Sequence, residues 1–536
     1  MTGTGDLYRS YLDLRWHFDP AAASGVGVTT HDGRLADFSA ERIREHLAAF
    51  KSMAGAVEAL EVEDPDEEID RTAFLDEVRI TVARFEHERP HIHDPSFWLG
   101  HLYGAFQSLL RRRGAPPAER AQGLLGRLRA TPAFLQVARD TLKDPPQILL
   151  DTATALAAAG PGLLTTVATV AREAAPESGE PIAAALAEAE SALARFDQAL
   201  RSELRAHHDD LSFAIGEDQF NRRLHHEHAL MASAPEIYRY GLHLADEVEA
   251  ELTELAHRLE PGKRWQAVVE RLRAEQPPGP DLLGEFRREV DRARRFLEEH
   301  RLMTLPEGDL EVVETPAFLR PLLPFAAYAA PPLFGDGAIG TFYVTSPVPG
   351  AGPVPRESRH EIASTAVHEA WPGHHLQMLT ARGLASEVRR VSWTPVTVEG
   401  WALYCEELMG EAGFFQSLEQ RLFQRLHLLW RAMRVVLDVG LHTRGMTPKE
   451  AVDLLVDRVA MDRDKASAEV SRYCAWPTYQ LCYAVGRRDL LHLRDAWRAA
   501  AGPEAPIADF HDAVLSYGGL PISLTRWGMG LGIDEE

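Results

Sequence analysis

Residues 281–300 carry the pattern that most constrains this chain. Leu282, Phe286, Val290, Ala293 and Leu297 recur at steps of three and four, with charged residues on the other face. That spacing follows the period of an α-helix and buries one stripe of it. The same pattern runs through 36–60, 104–142, 180–206 and 233–259. Breakers divide the runs at Pro65, Gly114 to Pro117, Pro145-Pro146 and Pro277 to Pro280. The acidic run Glu61 to Asp70 reads as a solvated connection. A mainly α fold with a large helical body is expected.

One stretch departs from this period. Residues 310–347 contain Leu310-Glu311-Val312-Val313-Glu314 and Gly340-Thr341-Phe342-Tyr343-Val344-Thr345 between Pro-rich segments. Short runs of β-branched and aromatic residues predict strands. A small sheet of two to four strands is expected there. The working division is a helical half, 1–305, and a second half, 306–536, that holds the sheet and further helices.

Composition narrows the function classes. The 536 residues are 45% apolar, enough for a sizeable core, so disorder over most of the chain is excluded. Lys plus Arg is 57 against 80 Asp plus Glu, a formal charge of −23. Such a surface repels phosphate backbones and anionic membranes, so neither is expected as a partner. Three cysteines, Cys405, Cys474 and Cys482, make no disulfide framework and suggest a reducing, cytoplasmic setting. The opening MTGTGDLYRSYLDLRWHFDP lacks a basic region followed by an apolar one, so no secretory signal is expected. The apolar stretch 149–171 contains Asp151 and Gly160-Pro161-Gly162. It reads as two buried Ala-rich helices and a poor membrane span.

The chemistry concentrates in SRHEIASTAVHEAWPGHHLQ, residues 358–377. Ser358 and Glu361 form a capping box that starts a helix near Arg359. His368 and Glu369 arrive near its end, where Pro372 stops or kinks it. On a straight helix, H-E-x-x-H places two histidines on one face to chelate zinc, and the glutamate between them serves as base. Here position 372 is Pro, and the pattern is H-E-x-x-P-G-H-H. On an unbroken helix His375 would stand about 10 Å beyond His368, too far to share an ion. A two-residue bulge at Pro372-Gly373 brings His374 into place, with His375 as the alternative. The cluster His225-His226-Glu227-His228 lies on a charged helix and reads as a surface feature.

A third ligand is available in TPVTVEGWALYCEELMGEAG, residues 394–413. Thr394-Pro395 starts a helix and Gly413 stops it. Glu399 and Glu406 share one face of an otherwise apolar helix. One completes a His₂Glu site with an open fourth position, and the other holds a ligand histidine by its second ring nitrogen.

HEAWPGHH and EGWALYCEE together resemble domain-of-unknown-function family eight-eight-five, a family of mostly bacterial proteins. The resemblance extends to DGRLADFS, FYVTSP, LDVGLHTRGMTP and YCAWPTYQLCYAVG, and covers nearly the whole chain. The family more often has Gly at 478 and a basic residue at 484, where this chain has Thr478 and Ala484. Its motifs are similar to those of gluzincin metallopeptidases, whose third ligand is a Glu on a helix of this kind. The resemblance implies a gluzincin-like fold with a small sheet beside a recessed zinc site.

A hydrolytic site also needs a donor for the oxyanion. Arg434, Asp438 and His442 make a polar stripe on an apolar helix, and His442 is one candidate. Tyr473, Tyr479, Gln480 and Tyr483 follow, with Tyr483 the preferred donor and Tyr479 next. Tyr479, Gln480 and Tyr343 are expected against substrate, the last on a strand that could pair with an extended peptide. The combined expectation is a zinc-dependent hydrolase, foremost an oligopeptidase or exopeptidase of short peptides. His368, His374 and Glu399 hold Zn²⁺, Glu369 is the base, and Glu406 and His375 support the ligands. Rival readings are a zinc hydrolase of non-peptide amides, a binding or scaffold protein with a degenerate motif, and a His₂Glu iron site. The oligomeric state is not legible in the sequence.

Overall fold

The periodic runs fold as helices, and helix makes up 72% of the described residues. The computed structural model describes residues 3–112, 116–275, 281–316, 320, 326–335, 337–346 and 358–532. Of the expected breakers, Pro277 to Pro280 and Gly114-Ala115 lie outside the described residues. The chain groups into two compact units. One is Met1–Ile215 with Pro332–Gly337, and the other is Gly216–Pro331 with Ala338–Glu536.

In the first unit, α1 (Pro65–Ala83) begins inside the acidic run expected to be a connection. Asp64 accepts from the Asp66 backbone N–H, Pro65 takes the first position, and Asp66, Glu67 and Glu68 fill the first turn. Carboxylates there face the positive end of the helix dipole, so acidity favours the helix start. Then come α2 (Pro95–Arg111), α3 (Pro117–Thr141), α4 (Gln147–Ala174) and α5 (Gly179–Ser202). The expected break at Gly160-Pro161-Gly162 does not occur, and α4 is one helix with Pro161 inside it. Its buried stripe continues across the proline, from Leu149, Leu150 and Ala157 to Leu164, Val167 and Ala171. Packing against α2, α3 and α5 on both sides offsets the lost N–H. By length and apolar composition α4 could cross a membrane, but it is shaped as a helix of this bundle.

The second unit opens with α6 (Gly216–His228) and α7 (Ala234–Leu259). Next is α8 (Leu282–His300), which buries Leu282, Phe286, Val290, Ala293 and Leu297 as its period predicts. Asp281 caps its start by accepting from the Gly284 N–H. The boundary expected near 305 falls inside this unit, because α8 packs on the sheet that follows it. Phe286 meets Phe342 edge-on at 5.4 Å.

Three strands form the sheet: β1 (Asp309–Glu314), β2 (Ala326–Ala329) and β3 (Ile339–Val344). The order is β1-β3-β2, with β1 parallel and β2 antiparallel to β3. β3 is therefore central, and Tyr343 lies between Val313 and Ala327. It cannot offer an edge to an extended peptide, and Tyr343 is buried within it. The edge strands are β1 and β2.

Six further helices carry most of the polar groups of the site. They are α9 (Ile362–Glu369), α10 (His374–Arg382), α11 (Pro395–Glu411), α12 (Leu418–Thr443), α13 (Arg463–Ala475) and α14 (Cys482–Ala501). α7 packs along α12, and α11 packs along α14. The second pair touches backbone to backbone: a Cβ on Gly400 would lie 2.5 Å from Gly486 Cα. This close approach brings the start of α14 to the start of α11. All three cysteines are buried and free.

Candidate metal centre

The capping box forms as the sequence predicts, and Ser358 N–H donates to Glu361 Oε1 at 3.0 Å. α9 then runs to Glu369, with His368 buried in its last turn. The Trp371-Pro372 peptide is cis. Gly373 turns the chain so tightly that a Cβ would stand 1.9 Å from His368 O. α10 starts directly at His374. The expected bulge is thus a full break between two helices. It sets the His374 ring at right angles to the His368 ring, 4.9 Å between centroids.

α11 begins at Pro395 after Thr394 and carries Glu399 to these rings. Glu399 Oε2 lies 3.6 Å from His368 Nε2 and 3.5 Å from His374 Nε2. One donor atom from each residue falls within 4.8 Å of the others. Among the described residues this is the one such group of His, Cys, Asp or Glu.

Supporting contacts orient His368 and Glu399, whereas His374 Nδ1 is buried without a hydrogen-bond partner among the described residues. His368 Nδ1 is 2.9 Å from Glu406 Oε1, and Ser364 Oγ donates to Glu406 Oε2 at 2.7 Å. An ionised carboxylate only accepts, so Nδ1 carries a hydrogen toward Glu406, and Nε2 is the ring nitrogen turned toward Glu399. Glu399 and Glu406, seven residues apart on one helix face, thus grip opposite sides of one ring. Tyr479 Oη donates to Glu399 Oε1 at 2.8 Å, leaving Oε2 for the histidines. Burial alone would lower the His368 pKa, but Glu399 and Glu406 outweigh it and raise it to about 9. Burial opposes ionisation of Glu399 and Glu406 as well, and the histidines hold both below the usual carboxylate range.

Two neighbours complete the rim. Glu369 Oε2 accepts from the Tyr328 backbone N–H of β2 at 3.0 Å. Tyr483 stacks nearly parallel to His368, with centroids 6.4 Å apart. Burial and then Glu399 push the Tyr483 pKa up, so its hydroxyl stays protonated and able to donate.

Other expected residues take different places. His375 faces Tyr328, with Nδ1 3.1 Å from the hydroxyl, and burial and then Arg294 lower its pKa to about 3. It is a neutral ring in the wall. His442 Nε2 lies 3.0 Å from the Tyr473 carbonyl, so this ring ties α12 to α13 and is not an oxyanion donor. Gln480 is wholly buried, which removes its side chain from substrate. His228, expected on the surface, is 1% exposed and bridges Thr394 and Thr478, at 2.7 and 3.3 Å. The end of α6 turns inward there, so only the preceding part of that histidine cluster is solvated.

The bridge meets a second clasp. Asp438 accepts from the backbone N–H groups of Thr478, Gln480 and Leu481 at 3.0, 2.9 and 3.1 Å. Thr478 has φ 66, a left-handed conformation that strains a β-branched residue. Asp438 and His228 hold it there, and the loop so fixed delivers Tyr479 to Glu399. Burial raises the Asp438 pKa to about 7 against the pull of these N–H groups.

Three participants went unpredicted. Tyr328 lies in PFAAYAAPP, where nothing in the pattern marks it. Ser364 sits one turn before His368 and was legible as a same-face neighbour. Arg431 belongs to a stripe of His427, Arg431, Arg434 and Asp438 at steps of four, three and four, offset from the one the sequence suggested.

The comparisons agree with this extent. The family described as "Bacterial protein of unknown function (DUF885)" matches residues 20–528. A structure described as "a putative lipoprotein of unknown function" from Shewanella oneidensis superposes with a TM-score of 0.77 at 20% identity. It covers 99% of this chain and 100% of that one. A "putative lipoprotein" from Colwellia psychrerythraea gives a TM-score of 0.86 at 18% identity, covering 98% of both. At these identities the likeness is one of fold. No curated protein matches the chain.

Proposed function

This chain belongs to the DUF885 family of bacterial proteins, and from that premise we propose that it is a zinc-dependent hydrolase of short peptides. The observation that carries the proposal is the spacing of three donors, one buried and two half-buried. In a tetrahedral zinc site with bonds of about 2.0–2.1 Å, neighbouring ligand atoms stand about 3.4 Å apart. The Glu399 oxygen stands 3.5 and 3.6 Å from the two imidazole nitrogens. Two neutral imidazoles and one carboxylate are also a donor set that zinc favours. His368, His374 and Glu399 would hold the ion. When bound, zinc supplies a Lewis acid that activates water and polarises a carbonyl.

The chain's own groups do the rest. Glu369, held by the Tyr328 N–H through one oxygen, uses the other to move a proton from the attacking water to the leaving nitrogen. Tyr483 donates a hydrogen bond to the developing oxyanion. Glu406 and Tyr479 keep the ligands in register. A peptide lies along the edge of β2, beside the residue that holds Glu369, and uses main-chain hydrogen bonds that β3 cannot offer. The free buried thiols favour a reducing, cytoplasmic setting for this chain, while the lipoprotein descriptions belong to its structural neighbours.

Metal analysis with a hydrolysis panel tests the proposal. About one zinc per chain is expected. The Glu369→Gln variant should keep that metal and lose turnover of short peptides. A panel that also holds acyl amides separates peptidase from amidase. Absence of zinc after loading refutes the proposal and favours the scaffold reading.

A further inference from the structure

On α12, His427, Arg431, Arg434 and Asp438 share one face, and three of them are spent. His427 Nε2 lies 2.9 Å from Glu361 Oε2. Arg434 donates to Glu469 Oε2 and Tyr473 Oη, each at 3.1 Å. Asp438 holds three backbone N–H groups. Arg431 differs. Its hydrogen bond among the described residues is a long one, from Nη1 to the His427 carbonyl at 3.4 Å. Its Nε is buried without a partner, and it makes no ion pair among the described residues.

The place of this cation is informative. Its guanidinium lies 5.8 Å from the centroid of Tyr483. Tyr483 in turn stacks on the ligand His368 at 6.4 Å. The two steps bound the separation of Arg431 from the His368 ring at about 12 Å. Glu406 is the carboxylate that acts most strongly on its charge, but both Glu406 oxygens already accept from His368 and Ser364. Arg431 stays partly exposed, so a ligand can reach it. Desolvating an arginine without a counter-ion is costly, and its planar fork matches a carboxylate in two bonds. A carboxylate arriving with substrate would supply the missing partner.

We propose that Arg431 binds the terminal carboxylate of the substrate, and that the substrates are short peptides with a free C-terminus close to the scissile bond. The inference rests on the hydrolase reading above and adds polarity to it. Each residue of extended chain spans about 3.5 Å. The 12 Å bound therefore places the carboxylate no more than about three residues beyond the bond that is cut. Release of one to about three residues from the C-terminal end follows.

Binding by the full chain carrying Glu369→Gln, with and without zinc, tests this. The probes are N-acetyl-trialanine as the free acid and as its C-terminal amide, followed by titration calorimetry. The acid should bind at least about tenfold more tightly, as a bidentate charged pair allows. Adding Arg431→Gln should shrink that preference to within about twofold, and Arg431→Lys should restore part of it. Phenylglyoxal labelling of the wild-type chain, mapped by mass spectrometry, needs no second substitution. The acid should protect Arg431 and the amide should not. Equal binding of acid and amide, no binding of either, a preference that survives Arg431→Gln, or absence of protection overturns the proposal. Failure of the hydrolase reading appears separately, as a zinc-loaded wild type that cleaves no peptide.

Discussion

Replacing Glu406 with glutamine keeps the outline of the side chain and removes its charge. The site is 2% exposed, so water cannot take over the lost role. One carboxylate oxygen faces His368 Nδ1 at 2.9 Å and the other faces Ser364 Oγ at 2.7 Å. A glutamine can point its carbonyl at the histidine and its amide at the serine, whose hydroxyl can turn to accept. Geometry is therefore retained, and the change isolates electrostatics. Loss of such a partner typically weakens metal binding 10–100-fold, about 1.4–2.7 kcal/mol. The metal-free chain should respond as well. Burial lowers the His368 pKa, and Glu399 and Glu369 would then oppose it without Glu406, so the value should fall from about 9. Competition against a chromogenic zinc chelator measures the first effect, and an NMR titration of the imidazole measures the second. Identical zinc affinity together with an unmoved His368 titration would show that Glu406 is not coupled to the ligand, and the reasoning would fail.

Gly373→Ala forces a methyl group within 1.9 Å of the His368 carbonyl. It should cost about 3 kcal/mol or more and displace His374, seen as a lower urea midpoint and lost zinc stoichiometry. Asp438→Asn leaves one good acceptor for three N–H groups. A loss of about 1–3 kcal/mol is expected, with faster hydrogen exchange at Thr478, Gln480 and Leu481, and unchanged exchange there would count against the clasp. Burial raises Asp438 to about 7, so its contribution to stability is present below the ordinary carboxylate range and lost as pH rises through about 7. Glu361, Glu407 and Glu469 have the opposite sign. Burial raises each, but His427, Arg425 and Arg434 with their neighbours hold them at about 2. Their contribution is present above the ordinary value of 4.5 and lost as pH falls toward 2, so Glu361→Gln should flatten the acid limb of urea midpoint against pH.

Several parts of the site were legible because their causes lie within a turn or two of chain. The capping box at Ser358, the stop at Pro372 and the start at Thr394-Pro395 are backbone chemistry and appear where the residues say. The placement of Glu399 and Glu406 on one face follows from helix period alone. The preference for His374 over His375 was a steric inference about Pro-Gly, and the chain does place His374 beside Glu399. The break at Pro161 misled for the converse reason: a local penalty was smaller than the packing of a long apolar stripe.

Residue types and their spacing alone determine the helical class, the ends of many helices, and the presence of two histidines at one helix break and two carboxylates on one helix face. Tertiary structure alone decides what those groups meet. Glu369 is held from a β-strand 41 residues away, and Glu399 from a tyrosine 80 residues away. The order of three strands puts β3 in the middle and leaves β1 and β2 at the edges. His442 faces a carbonyl, and Arg431 on the same helix faces Tyr483. Hydrogen bonds within a turn follow from local geometry, whereas these contacts depend on how remote segments pack, which no local pattern encodes.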